Sequence, residues 1–232
     1  MRIPSLSLAL CALLAMPVWA QPLRVELAGD YRPLLAAEPR TGAGSFEREL
    51  IDRWAESMGR TVQVAETGGQ ADLRMGLGEA GIAYYQSEPA ALTLREGGLA
   101  DLNGLEGKSF CVVAGSPHIE HFSERFAASA KRYSSAAQAL AGLAAGNCAV
   151  LIEDRVLLEE IAAQPEWDGF ARVLTSLPEL AVTLRVSADD AELLSELQPV
   201  VERENLTREL TSAWAQKVRL AACALDARLD CH

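Results

Sequence analysis

The chain lacks most of the short signatures that announce a chemistry. Its 232 residues contain no Gly-x-Ser-x-Gly elbow, no phosphate-cradling glycine loop and no His-Glu-x-x-His, which removes the commonest nucleophile, nucleotide and zinc-hydrolase patterns. None of the five cysteines falls in a Cys-x-x-Cys pair, the spacing that redox and zinc sites usually show. Basic residues are short as well, 21 against 32 acidic ones, for a net charge of −11. That balance argues against nucleic acid, which wants a basic stripe, and against docking on anionic lipid. Low-complexity tracts, charge runs and internal repeats are missing. No apolar run reaches the roughly 20 residues that a membrane-spanning helix needs.

The N-terminus carries the first positive signal. Arg2 precedes an apolar core over residues 6–14, and Val18-Trp19-Ala20 ends on the small-x-small pattern of a cleavage site. These are the parts of a secretory signal peptide over residues 1–20. Cleavage after Ala20 leaves 212 residues from Gln21, with 20 basic residues and a net charge of −12. Cys11 leaves with the leader and is not placed to carry a lipid. The sequence thus predicts an exported protein with no membrane insertion.

Four cysteines then remain: Cys111, Cys148, Cys223 and Cys231. An even number in an exported chain suggests two disulfides, with three possible connectivities. The segment 101–154 reads as strand, tight turn, helix, second helix and strand. Strands alternating with helices at this spacing predict an α/β fold with parallel strands and right-handed crossovers. In such sheets ligands bind beyond the carboxyl ends of the strands, which is where Gly115-Ser116 and Asp154 fall. Cys111 and Cys148 belong to strands expected to be neighbours, so a bridge between them is geometrically reasonable, and Cys223–Cys231 would then close the tail.

The order Asp101-Leu102, Gly107-Lys108, apolar strand, Gly115-Ser116, helix, Gly146-Asn147, apolar strand, Asp154 resembles the second lobe of bacterial periplasmic solute-binding proteins. The match is nearest to the polar-amino-acid-binding family of ABC importers, with its type II periplasmic binding protein fold. Leu23–Leu27 followed by Asp30-Tyr31-Arg32-Pro33 is similar to that family's opening strand and Tyr-x-Pro loop, and residues 44–51 to its first helix. The resemblance implies two lobes joined by two hinge crossings. Lobe one takes residues 21–96 and 180–232, and lobe two residues 101–178. The expected crossings are strands at 91–95 and 180–186, with Gly97-Gly98 as a hinge element. Helices over 189–204 and 206–222 are expected to pack back on lobe one.

The resemblance also implies a site. Asp154 matches the acidic residue that takes a ligand's ammonium group, by a charge-assisted hydrogen bond; the plainer reading is a cap on the helix 155–162. Gly115 and Ser116 match the element facing a ligand carboxylate, with Ser116 as an ordinary helix cap as the alternative. Asp30 and Tyr31 lie on a loop that supplies a lid or an aromatic wall, although Tyr31 also reads as packing. His118 is close enough to Ser116 to touch ligand. His118 and His121 do not make a metal site by themselves, and no cofactor or catalytic residue is expected. Glu153 beside Asp154 would suit an acid in a dehydratase-like relative, but neighbours on a strand point to opposite faces.

One departure stands out. Amino-acid binders of the family carry Thr-x-x-Arg after a lobe-one strand, and the Arg clamps the ligand carboxylate. Here residues 71–78 run almost directly into Ile82-Ala83-Tyr84-Tyr85-Gln86-Ser87, and that segment is missing, so lobe one looks trimmed. Arg74 and Arg95 do not match the motif. The Tyr84–Ser87 run is instead similar to a stretch in binding-protein-like accessories of quinoprotein dehydrogenases. The expectation is therefore a monomeric periplasmic protein that captures a small polar, amino-acid-like solute for ABC permease subunits. The alternative is a non-transport accessory that grips another periplasmic protein.

Overall fold

The computed structural model describes residues 21–36, 45–164, 167 and 171–225. The expected signal peptide and Cys231 lie outside them. Two five-stranded sheets, each flanked by helices, build two α/β lobes. The first sheet has the order β2-β1-β3-β10-β4, from Leu23–Leu27 (β1), Val62–Val64 (β2), Leu73–Leu77 (β3), Ile82–Ser87 (β4) and Val182–Ser187 (β10). The second has the order β7-β6-β8-β5-β9, from Pro89–Leu94 (β5), Ser109–Val113 (β6), Ser129–Tyr133 (β7), Val150–Asp154 (β8) and Ala171–Ser176 (β9). In each sheet four strands run in one direction and a single strand, β10 in the first and β5 in the second, runs antiparallel to its two neighbours.

The chain leaves the first sheet at Glu88, between β4 and β5, earlier than the sequence placed the crossing. It returns through a 3₁₀ turn, Pro178–Leu180, before β10. Glu88 is pinned to the other lobe, because its carbonyl accepts from the Arg155 amide at 2.7 Å and its carboxylate pairs with the Arg155 guanidinium at 3.0 Å. Gly97-Gly98, expected as the hinge, lies past β5. There a Cβ on Gly98 would fall 1.9 Å from the Leu94 carbonyl oxygen, so glycine is required by a tight backbone approach, not by hinge motion.

Helix α1, Phe46–Ser57, forms where the sequence predicts. Ser45 Oγ accepts from the Arg48 amide at 3.2 Å, and Phe46, Leu50, Ile51 and Trp54 bury one face. Gly59 follows in the left-handed region, φ +64°, the usual glycine exit from a helix. Lobe two carries α2 (Ile119–Arg125), α3 (Ala136–Ala144) and α4 (Arg155–Ala162), and the chain ends in α5 (Ala191–Val201) and α6 (Glu204–Leu225). Helix α3 is apolar nearly all round because it is covered on two sides, by β6 and β8 and by α6. Both terminal helices were expected on lobe one. Helix α5 does lie against α1 and β4, but α6 packs on α3 and α4 of lobe two as well as on α1.

Cys111 and Cys148 form a disulfide with their Cα atoms 5.6 Å apart, joining the middle of β6 to the segment just before its neighbour β8. The bridge expected between Cys223 and Cys231 involves a residue outside the described ones. Among the described residues no helix is long and apolar enough to cross a membrane.

Candidate functional site

Asp154 ends β8 and is 2% exposed. It occupies the N-cap position of α4 but makes no side-chain cap bond. Its carboxylate turns instead to the other lobe. Tyr85 Oη donates to Oδ2 at 2.8 Å, Tyr31 Oη donates to both oxygens at 3.1 and 3.2 Å, and Ser87 Oγ donates to Oδ1. Tyr85 and Ser87 come from β4 and Tyr31 from the loop after β1, so every donor belongs to lobe one. Tyr31 Oη also lies 2.8 Å from Ser87 Oγ, and His118 Nε2 lies 3.2 Å from the same oxygen. With the single Ser87 proton committed to Asp154, Nε2 of His118 must carry a hydrogen and donate to Ser87.

The structure thus brings Tyr31, His118 and Asp154 together and adds Ser87 and Tyr85. Asp30, Gly115 and Ser116 stand at the rim. A Cβ on Gly115, whose φ is +82°, would meet the Asp30 backbone at 2.9 Å, so only glycine permits this contact between the lobes. Ser116 Oγ accepts from the His118 amide at 3.4 Å, a local turn contact. Asp154 and Glu153 are both buried, 2% and 5% exposed, and Glu153 Oε1 accepts from the Asp154 amide at 3.3 Å. Among the described hydrogen bonds only Asp154 meets the hydroxyls of the other lobe, while Glu153 turns back to the backbone of its own strand.

Burial in this setting penalises charge. Burial pushes the Asp154 carboxyl up to about 6, against the hydrogen bonds from Ser87, Tyr85 and Tyr31. Burial first, and then the charge of Asp154, pushes Glu153 up to about 8. Burial and mutual repulsion thus oppose charging both acids, and near neutral pH the pair holds a proton between them. Burial lowers His118 to about 4, with His121 adding to the effect, so the imidazole is neutral. Burial and the Asp154 charge hold the Tyr31 and Tyr85 hydroxyls far above their ordinary value, and both remain donors. The site has one anion, three hydroxyls and a neutral imidazole. Among the described contacts no cation reaches Asp154.

The loop that delivers Tyr31 is held hard. The Arg32 guanidinium donates to the carbonyls of Leu27, Ala28, Gly29 and Tyr31 at 2.6–3.2 Å, and pairs with buried Glu47 at 3.4 Å. Tyr84, the neighbour of Tyr85 on β4, donates to Glu47 from the opposite face. Leu34 sits fully buried at φ +54°, a conformation that costs a non-glycine residue on the order of 1 kcal/mol. Such strain persists only where the surroundings over-determine it.

The residues missed by sequence reasoning, Ser87 and Tyr85, did leave a signal. They belong to the Tyr84–Ser87 run, which stood out as a likeness but not as a set of hydroxyl donors. Arg74, a possible substitute for the missing clamp, is taken by Glu26 at 3.5 Å and Asp189 at 3.1 Å. A groove of about 910 Å³ runs along β4 between α4, α6 and β10, lined by Gln86, Glu160 and Arg185 among others. Among the described residues no group of His, Cys, Asp and Glu is arranged to hold a metal.

No protein-family model matches the chain, and no curated protein is similar enough in sequence to match it. Solved structures do. An arginine-transport periplasmic binding protein from Legionella pneumophila is 15% identical with a TM-score of 0.59, covering 84% of this chain and all of that one. A histidine kinase sensor domain with similarity to periplasmic binding proteins is 19% identical with a TM-score of 0.59, covering 84% and 96%. The periplasmic VFT2 domain of Bordetella pertussis BvgS is 14% identical with a TM-score of 0.59, covering 83% and 92%. The chain therefore has the two-lobed fold of type II periplasmic binding proteins. The first of these structures is a transport binding protein and the second a sensor domain.

Proposed function

We propose that the chain is an exported periplasmic binding protein that receives a small polar solute between its lobes, with an ammonium group of the solute on Asp154. The observation that carries this reading is the buried carboxylate at the lobe boundary, satisfied by hydroxyls but lacking a cation. A desolvated anion of this kind gains most from a positive ligand, since charge-assisted hydrogen bonds are roughly twice as strong as neutral ones. Tyr31, Tyr85 and Ser87 would then line the solute, and their hydroxyls would turn toward its polar atoms. Among the described contacts no Arg reaches the Asp154 cluster and Arg74 is already paired with Glu26 and Asp189, so amines are favoured over amino acids. Delivery to ABC permease subunits is the role that goes with capture.

Calorimetric titration of the mature protein with monoamines, polyamines and amino acids tests this. Amines are expected to bind more tightly than the matching amino acids, and Asp154→Ala to cost about 1.5–3 kcal/mol of affinity, the scale of a hydrogen bond to a charged group. Silence with every amine would remove the solute reading.

A second reading is favoured by the closure of the boundary itself. Asp154 is covered by the protein's own side chains, and Gly115 abuts Asp30. A non-transport accessory that presents a fixed surface to another periplasmic protein needs no open cleft. Binding of a protein partner by a variant with no amine affinity would favour it.

A further inference from the structure

Two hinged lobes normally come together around a ligand. Here they are joined by contacts that need none. Besides the hydroxyls on Asp154, the amide of Ala136, at the start of α3 in lobe two, donates to the carbonyl of Leu35 in the lobe-one loop at 2.9 Å. That amide is one of the first-turn donors a helix cannot satisfy itself.

A larger tie lies on the flank. Helix α6 is connected through α5 to lobe one, yet it lies along α3 and α4 of lobe two and also touches α1. Leu210, Trp214, Ala215, Val218 and Ala222 are buried along it. They belong to one apolar core that also holds Phe46 and Leu50 of lobe one and Leu140, Leu143 and Leu158 of lobe two. Polar ties reach both ways. Trp214 Nε1 and Lys217 Nζ donate to Glu49 on α1 at 2.9 and 3.0 Å, and Ser212 Oγ donates to Glu160 on α4 at 3.2 Å.

We propose that α6 is a strap that holds the two lobes closed in the absence of any ligand, so that access to Asp154 requires the helix to leave one lobe. The lobe it leaves is lobe one. The contact with lobe two is broad, whereas the polar tie to α1 centres on Glu49 and Lys217, whose side chains are 32% and 49% exposed. Exposed ion pairs contribute little, and burying apolar area contributes more. The inference goes beyond solute capture and does not depend on it, since it concerns the unliganded protein.

Amide hydrogen exchange of the mature, ligand-free protein tests it, with the Ala136 amide as reporter because its acceptor sits on the other lobe. In the wild-type protein that amide is expected to be protected. Glu49→Ala should speed its exchange by about tenfold, while amides inside β6 and β8 keep their rates, as expected for an opening that leaves lobe two intact. Lys217→Met, which keeps an apolar side chain beside the Trp214 ring and drops only the charged donor to Glu49, should act in the same direction with less effect. An unprotected Ala136 amide in the wild type would overturn the proposal, because the lobes would be opening by themselves. Unchanged protection in both variants would also overturn it, since the contacts at Asp154 would then suffice. So would equal acceleration throughout β6 and β8, which would mean general loosening. Each readout is taken without solute, so failure of the amine titration leaves it intact.

Discussion

Tyr84 and Tyr85 are adjacent on β4 and point to opposite faces, and each hydroxyl ends on a buried carboxylate. The two carboxylates are built differently. Glu47, 1% exposed, receives Tyr84 and also faces the Arg32 guanidinium, itself tied to four carbonyls. Burial raises the Glu47 carboxyl, and Arg32 and Tyr84 pull it back. Asp154 receives Tyr85, Tyr31 and Ser87 but no cation. Buried charges are ordinarily paired. The Glu47 cluster is complete within one lobe and reads as structure. The Asp154 cluster spans two lobes with no cation among its described contacts, which is the basis for proposing it as a site.

The strongest way to break that contrast is to remove the cation that Glu47 has and Asp154 lacks. Arg32→Met strands Glu47 as an uncompensated buried charge and frees the loop that carries Tyr31. Removing one partner of a buried ion pair typically costs about 3–5 kcal/mol. Urea denaturation of the mature protein should show a midpoint lowered accordingly. A loss below about 1 kcal/mol would place the pair with exposed salt bridges and end its role as the scaffold of the loop.

The contrast between the clusters also explains what the sequence could disclose. Asp154 was legible because it stands at the end of an apolar strand in an ordered series of motifs. Its partners were not, since Ser87, Tyr85 and Tyr31 lie 67, 69 and 123 residues away in the chain. Glu47 and Arg32 were invisible as a pair. An acidic residue in a first helical turn looks like an exposed charge favoured by the helix dipole, and nothing local reports that it is buried. The parallel strands of lobe two followed from alternating strands and helices, and the two lobes from the family likeness, but β4, β7 and β9 were not foreseen; β7, with the sequence Ser-Ala-Lys-Arg-Tyr, is a polar edge strand with little buried surface. Helix α6, expected over 206–222 from the family likeness, runs over Glu204–Leu225; which lobe it covers depends on neighbours that the likeness does not name.

A finer comparison uses one atom in each cluster. Tyr84→Phe removes the sole tyrosine donor described at Glu47, and a lost hydrogen bond to a charged group costs about 1.5–3 kcal/mol. Tyr85→Phe leaves Asp154 with Tyr31 and Ser87, so its cost should fall toward that of a neutral bond, about 0.5–1.5 kcal/mol. Thermal or urea unfolding of the two variants side by side reads the difference. The reverse order would make Asp154 the more rigidly held carboxylate and undo the assignment of structure to one cluster and site to the other.

The smallest effect is the dependence on pH, and it belongs to the cation-free cluster. Glu153 is pushed up to about 8 in the folded protein and returns to its ordinary range when unfolded. The native state therefore holds a proton that the unfolded state has lost, and stability falls as pH rises toward 8. Asp154, pushed up to about 6, acts in the same direction but has finished titrating by neutral pH. His118, lowered to about 4, opposes both, because its share of stability is lost as pH falls from 6.5 to 4. Between pH 7 and pH 8 only Glu153 of these three is still changing, and the expected loss is about 1 kcal/mol. Glu153→Gln should abolish that slope and leave the acid-side behaviour to His118 and Asp154. A slope that survives the substitution would mean that the proton sits elsewhere. A slope that an ammonium solute abolishes would show the missing counter-charge arriving.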